Sequence, residues 1–124
     1  VADITHRIES KNIGAPDEAR PFPKGRVELV KLAQGDVGRG TFEPGWRWSE
    51  HIKPLAGTET CEVHHLGYCL SGRMRVIMND GTQVEVGPGD VVDIPPGHDA
   101  YTIGDEACVM VDFGGMAGYA QKGS

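Results

Sequence analysis

The 124-residue chain has only three cysteines, Cys61, Cys69 and Cys108, so at least one has no partner within the chain. Their number and spacing do not make the framework of a small disulfide-stapled secreted domain, and a reducing, cytoplasmic setting is expected. No apolar run approaches the roughly eighteen residues that span a bilayer, and the opening VADITHRIES lacks the apolar centre of a signal peptide. A soluble protein without a membrane partner is expected. Lys and Arg number 12 against 18 Asp and Glu, for a formal charge of -6, and the basic residues are scattered. This argues against a protein that grips a phosphate backbone, so no nucleic-acid partner is expected. Apolar residues at helical spacing are also missing from every segment of helix length, which argues against a helical bundle. No glycine-rich phosphate cradle precedes a helix, and no G-x-S-x-G elbow appears.

What the chain has in quantity is punctuation. Eighteen glycines and eight prolines separate short apolar runs instead of forming a low-complexity tract. This is the pattern of tight turns between strands. One domain fits the length, and a domain of this size buries roughly two-thirds of its unfolded surface. Residues 1–25 read as an extended arm with room for one edge strand. Alternation then runs through VELVKLA, DVGRGTF, GWRWSEH, CEVHHLGYCL, RMRVIM, TQVEV, VVDI, HDAYTI and ACVMVDF. About nine strands are expected, with VVDI short and buried and Asn79-Asp80-Gly81 making a type I′ hairpin turn. The tail from residue 116 is too rich in glycine to assign.

The chemistry-bearing residues cluster beside these corners. Read as a strand, GWRWSEH puts Arg47, Ser49 and His51 on one face and both indoles, Trp46 and Trp48, on the other, where they need apolar cover. In VHHLGYCL, His65, Gly67 and Cys69 share a face opposite His64, Leu66 and Tyr68. At most one of the adjacent histidines is then a ligand, and either His64 or His65 can be that one. The segment GDVVDIPPGH delivers His98 directly after a Pro-Pro-Gly turn. Cys61 and His64 have C-x2-H spacing, but no second cysteine pair completes a zinc finger.

These motifs resemble those of the cupin superfamily of single-domain jelly-roll proteins. The first cupin motif, G-x5-H-x-H-x3,4-E-x6-G, is met by Gly45 and His51 and, counting back seven from Gly72, by His65 in the glutamate position. Lys53 stands where the second histidine belongs, and a longer connection, KPLAGTETCEV, divides the motif. The second motif, G-x5-P-x-G-x2-H-x3-N, is met by Gly89, Pro95 and Gly97, with Ala100 in the histidine position and His98 two residues earlier on the same strand face.

The resemblance implies an all-β fold, the cupin double-stranded β-helix or jelly-roll barrel, over residues 26–115, with a short tail at 116–124. Carried over residue by residue, it implies a divalent metal ion (Zn, Fe, Ni, Mn or Cu) on His51 and His65 by direct match, with His98 added only by the shared strand face; the predicted faces then place Arg47 and Cys69, with Tyr101 at the last turn, to shape a substrate pocket. Asp99 would orient His98 or cap the turn. An ion without a carboxylate ligand would favour an anionic or oxygen-rich small molecule. The implied function is a metal-dependent small-molecule enzyme, with dioxygenase, isomerase, lyase and hydrolase chemistry all open. The alternative is a non-catalytic ligand-binding or sensory module. Small barrels of this kind expose apolar faces and edges, so a homodimer is expected.

Overall fold

The computed structural model describes residues 7–120. Nine strands are present among them: β1 (Glu18–Phe22), β2 (Gly25–Leu32), β3 (Gly35–Phe42), β4 (His65–Ser71), β5 (Arg73–Met78), β6 (Gln83–Val86), β7 (Val91–Ile94), β8 (His98–Ile103) and β9 (Cys108–Phe113). They form a six-stranded sheet in the order β1-β2-β3-β9-β4-β7 and a three-stranded sheet in the order β6-β5-β8. All described pairings are antiparallel. The all-β jelly-roll expectation therefore holds, and the edge strand foreseen in the N-terminal arm is β1.

Alternation builds the interior. In β2, Val27 and Leu29 point inward, with Val30 buried as well, and in β9 Cys108, Met110 and Asp112 point inward while Val109, Val111 and Phe113 lie on the outer side. The face assignment of VHHLGYCL also holds, since His65, Gly67 and Cys69 are buried and Leu66, Tyr68 and Leu70 are exposed. From the second sheet Met74, Val76, Ala100 and Thr102 close the core. Inward positions of β3 are small for a reason: a Cβ on Gly38 would lie 2.4 Å from Met116 Cβ. That space admits the C-terminal 3-10 turn, Gly115–Gly118, which the glycine-rich composition of the tail concealed.

Four local expectations are corrected. GWRWSEH is not a strand: Arg47 makes one isolated bridge to Tyr101, and the chain then turns into α1 (Trp48–His51) and α2 (Lys53–Ala56). The cause lies on β8, where Asp99 accepts a hydrogen bond from Ser49 N–H at 3.1 Å and caps the first turn of α1. Second, the strand expected from Cys61 begins only at His65, and Cys61 instead bridges His98 in isolation. Third, VVDI is an edge strand with Val91 71% exposed, because only one face of β7 meets the core. Fourth, the β5–β6 turn is not type I′. Gly81 alone has positive φ (91°), its N–H reaches Met78 O at 2.9 Å, and Met78 N–H reaches Thr82 O at 2.8 Å, a three-residue loop closed by a glycine bulge.

Both indoles find their cover inside this one chain. Trp46 is 2% and Trp48 1% exposed. No helix among the described residues is long and apolar enough to cross a membrane.

Candidate metal centre and barrel cavity

The sheets enclose a cavity of ≈ 40 Å³ between Phe42, Trp46, Trp48, Met110, Met116 and Tyr119 on its apolar walls and His65, His98 and Asp112 at its polar end. A single water takes roughly 10–15 Å³ by the same measure, so the space holds about three. Small size is largely the work of the C-terminal turn, whose Met116 and Tyr119 are 4% exposed. Arg20 of β1 fastens that turn by donating from Nη1 to Met116 O at 3.2 Å and Tyr119 O at 2.7 Å.

At the polar end, three ligand-capable side chains converge. One donor atom each from Cys61, His65 and His98 lies within 4.8 Å of the others, and all three residues are buried. Cys61 Sγ is 3.8 Å from His65 Nε2, and the two imidazole centroids are 5.6 Å apart. Three different elements supply the group. His65 opens β4 facing inward, His98 opens β8 after the Pro-Pro-Gly turn, and Cys61 is pinned to that turn through Cys61 N–H to His98 O and Gly97 N–H to Cys61 O, both 2.7 Å.

Hydrogen bonds fix which nitrogen each imidazole presents. Asp112 Oδ2 lies 2.5 Å from His65 Nδ1, and a carboxylate can only accept, so Nδ1 carries a proton and Nε2 is the nitrogen turned toward Cys61. Asp112 is itself held by Gly115 N–H at 2.8 Å through Oδ1. His98 Nδ1 donates to Pro95 O at 2.8 Å, leaving its Nε2 free in the same way. Burial lowers the His98 pKa to about 4, opposed by the Pro95 carbonyl and assisted by His65, so the ring is neutral at neutral pH. Burial likewise pushes the Cys61 thiol up to about 11. A soft thiolate with two neutral imidazoles is a donor set that suits zinc or copper, and the ion would displace the thiol proton. The carboxylate behind His65 is the usual partner of a metal-bound histidine.

The sequence-based ligand set is only partly brought together. His65 and His98 meet; His51 does not join them. Its ring folds back on the start of α1, where Nδ1 accepts from Arg47 N–H at 3.0 Å. Cys61 stands in the third place. Asp99 does not orient His98, because it caps α1 and pairs with Arg47 Nη1 at 3.4 Å. His64 points outward and pairs with Asp93.

The expected pocket residues Arg47, Cys69 and Tyr101 are not among the side chains lining the cavity. The Arg47 guanidinium lies over the Tyr101 ring, 4.5 Å from its centroid. Cys69 faces inward but at the far end of β4, where Sγ meets Ser71 O at 3.4 Å and Gly72 O at 3.6 Å. Sequence reading missed Asp112 altogether and weighed Cys61 only for its zinc-finger spacing with His64, not as a partner of His65 and His98. Alternation held a signal for Asp112, which shares its strand face with Cys108 and Met110, but none for Cys61, which precedes β4.

One wall residue is unusual. Trp46 Nε1 is a buried nitrogen with no hydrogen-bond partner among the described residues. Leaving such a donor unsatisfied costs about 1–3 kcal/mol.

With the geometry established, comparison with known proteins places the chain. The Cupin domain family model matches residues 39–114, and the chain belongs to that family. The polyketide cyclase RemF from Streptomyces resistomycificus is similar in fold, with TM-score 0.61, 17% identity, and 86% of this chain and 78% of that one covered. A protein of unknown function from Rhizobium leguminosarum bv. viciae 3841 gives TM-score 0.56 at 21% identity, over 87% of this chain and 97% of that one. KdgF from Halomonas sp. gives 0.53 at 21% identity, over 75% and 80%. No curated protein matches by sequence.

Proposed function

We propose that this cupin is a metal-dependent small-molecule enzyme whose ion is held by Cys61, His65 and His98 at the polar end of the barrel cavity. The observation that carries the reading is the convergence of those three donor atoms within 4.8 Å, on residues that are all buried. Each protein group has a defined task. Asp112 holds the His65 ring and its proton on Nδ1, and Pro95 O does the same for His98. Burial keeps the His98 imidazole neutral and hence able to donate a lone pair. The apolar walls exclude bulk water and strengthen every polar contact made inside. When bound, a divalent ion supplies Lewis acidity or an activated water. Cupin-fold neighbours that include a polyketide cyclase support small-molecule chemistry without fixing the reaction. The three unpaired thiols support a reducing compartment such as the cytoplasm.

A second reading is a ligand-binding module without turnover. It is favoured by the scarcity of proton-transfer groups in the cavity, where Asp112 is already committed to His65 and Gly115. Elemental analysis of freshly purified protein tests the main reading. Near-stoichiometric metal that is lost in Cys61→Ser and His98→Ala, but kept in His51→Ala, is the expected result. Metal-free protein that takes up no zinc, copper or iron on titration overturns it.

A further inference from the structure

Trp46 is held unusually firmly for a residue with an idle polar atom. Its backbone is anchored on both sides, by Trp46 N–H to Glu43 O and Thr102 N–H to Trp46 O, each 3.0 Å. Its ring packs on Phe42 at 4.4 Å between centroids and on Phe22 at 6.5 Å. The side chain forms part of the cavity wall, 2% exposed, and Nε1 has no partner among the described residues. No Lys or Arg is among the residues lining that cavity, so nothing there matches a charged ligand group except the metal centre. A phenylalanine would offer apolar wall without an orphan donor, so the indole nitrogen needs an account of its own.

We propose that Trp46 is a ligand-recognition residue, its Nε1–H donating a hydrogen bond to the oxygen of a small, uncharged, mainly apolar carbonyl compound held in the barrel. This rests on the reading of the barrel interior as the ligand site. It does not require the metal. In a low-dielectric enclosure an oxygen that meets the free N–H is bound better than a carbon of the same shape, because only the oxygen repays the donor for its lost water. The cavity's size restricts the guest to a compact molecule unless Met116 and Tyr119 shift outward. The anionic or oxygen-rich ligand expected from the sequence is thereby replaced by an uncharged one that presents a carbonyl oxygen.

The test uses two isosteric probes small enough for this space, acetone and 2-methylpropene, which differ only in C=O against C=CH₂. The chain has two tryptophans, so the ¹⁵N-labelled protein gives two indole N–H signals, and Trp46→Phe assigns one of them. The expected result is acetone binding about fivefold more tightly than the alkene, the gain typical of one buried hydrogen bond. The Trp46 Nε1–H signal moves downfield with the ketone alone. Trp46→benzothienylalanine, which keeps the bicyclic shape and lacks the N–H, removes the preference for the ketone over the alkene. Equal affinities, a preference that survives in the Trp46→benzothienylalanine protein, or no binding of either probe at the concentration where the alkene saturates water would each overturn the proposal. Ketone preference in protein that takes up no metal leaves Trp46 recognition standing while the metal reading fails. Stoichiometric metal without ketone preference does the reverse.

Discussion

Asp112 and His65 sit on neighbouring strands of the large sheet, yet their side chains meet inside the barrel, with Oδ2 2.5 Å from Nδ1. That contact decides which imidazole nitrogen is free to bind an ion. Asp112→Asn presents an amide that can donate as well as accept and removes the charge that raises ligand basicity. Zinc affinity should fall about 10–100-fold, the range for an outer-shell partner of a metal ligand. Competition with a chromophoric chelator measures it. Affinity within twofold of wild type would show that Asp112 serves packing alone.

Cobalt substitution addresses Cys61 directly. A thiolate ligand gives an intense near-ultraviolet charge-transfer band that imidazoles do not, so cobalt-loaded wild type should show it. Cys61→Ser should show neither that band nor the stoichiometric cobalt uptake of wild type. His51→Ala should match wild type, since its ring contacts Arg47 at the start of α1 and not the centre. A normal thiolate band in Cys61→Ser would point to Cys69 or Cys108 instead.

The barrel itself was legible because its information is local. Glycine and proline corners bound each strand, and period-two alternation placed His65 inward and His64 outward without any tertiary knowledge. His98 followed from the Pro-Pro-Gly turn. What failed was the segment Trp46–His51, whose alternation suits a strand equally well. The deciding atom, Asp99 Oδ1, lies 50 residues away and caps a helix there. Cys61 was obscured for a related reason, because its position depends on an isolated bridge to His98 across a long connection. Asp112 is a carboxylate on an apolar face, and only the opposing imidazole explains it.

Metal-free protein should lose stability on mild acidification because of His98. The unfolded ring takes up its proton near pH 6.5, whereas burial holds the folded ring's pKa to about 4. Between those values the unfolded state binds more protons, so the contribution is full above pH 6.5 and falls away as pH drops toward 4. The loss amounts to about 3 kcal/mol at most. Urea titrations at pH 7 and pH 4.5 measure it, and His98→Asn should flatten the difference. An equally steep dependence in His98→Asn would assign it to the carboxylates.

The outer face of the large sheet bears on self-association. Tyr68 of β4 lies between Val91 of β7 and Val111 of β9 in register, with Leu66, Leu70 and Phe113 beside them on the same side. Four of these, Leu66, Leu70, Val91 and Phe113, are about half exposed or more. A second copy packing on this face would bury a row of apolar side chains that water now meets. Sedimentation at micromolar concentration should give a dimer, and the double variant Leu70→Lys, Val91→Lys should give a monomer that keeps its metal content. A wild-type monomer mass would remove the homodimer.

The C-terminal turn makes the most local claim of all. Gly38 is not in the left-handed region, so Gly38→Ala adds no backbone strain, and its only effect is the new Cβ, 2.4 Å from Met116 Cβ and 2.7 Å from Met116 Cγ. A clash that close cannot be absorbed in place, so Met116 must leave its site and draw the turn with it. Displacing Met116 opens apolar volume in the cavity and loses its packing, a cost of about 2–4 kcal/mol by analogy with large-to-small core changes. Thermal unfolding should drop accordingly. A hydrophobic dye such as ANS should bind the variant and not the wild type, because the barrel mouth is then open. Met116→Gly removes both clashing atoms, so adding Gly38→Ala to that background should cost less than 1 kcal/mol further, a non-additivity that a global packing defect would not produce.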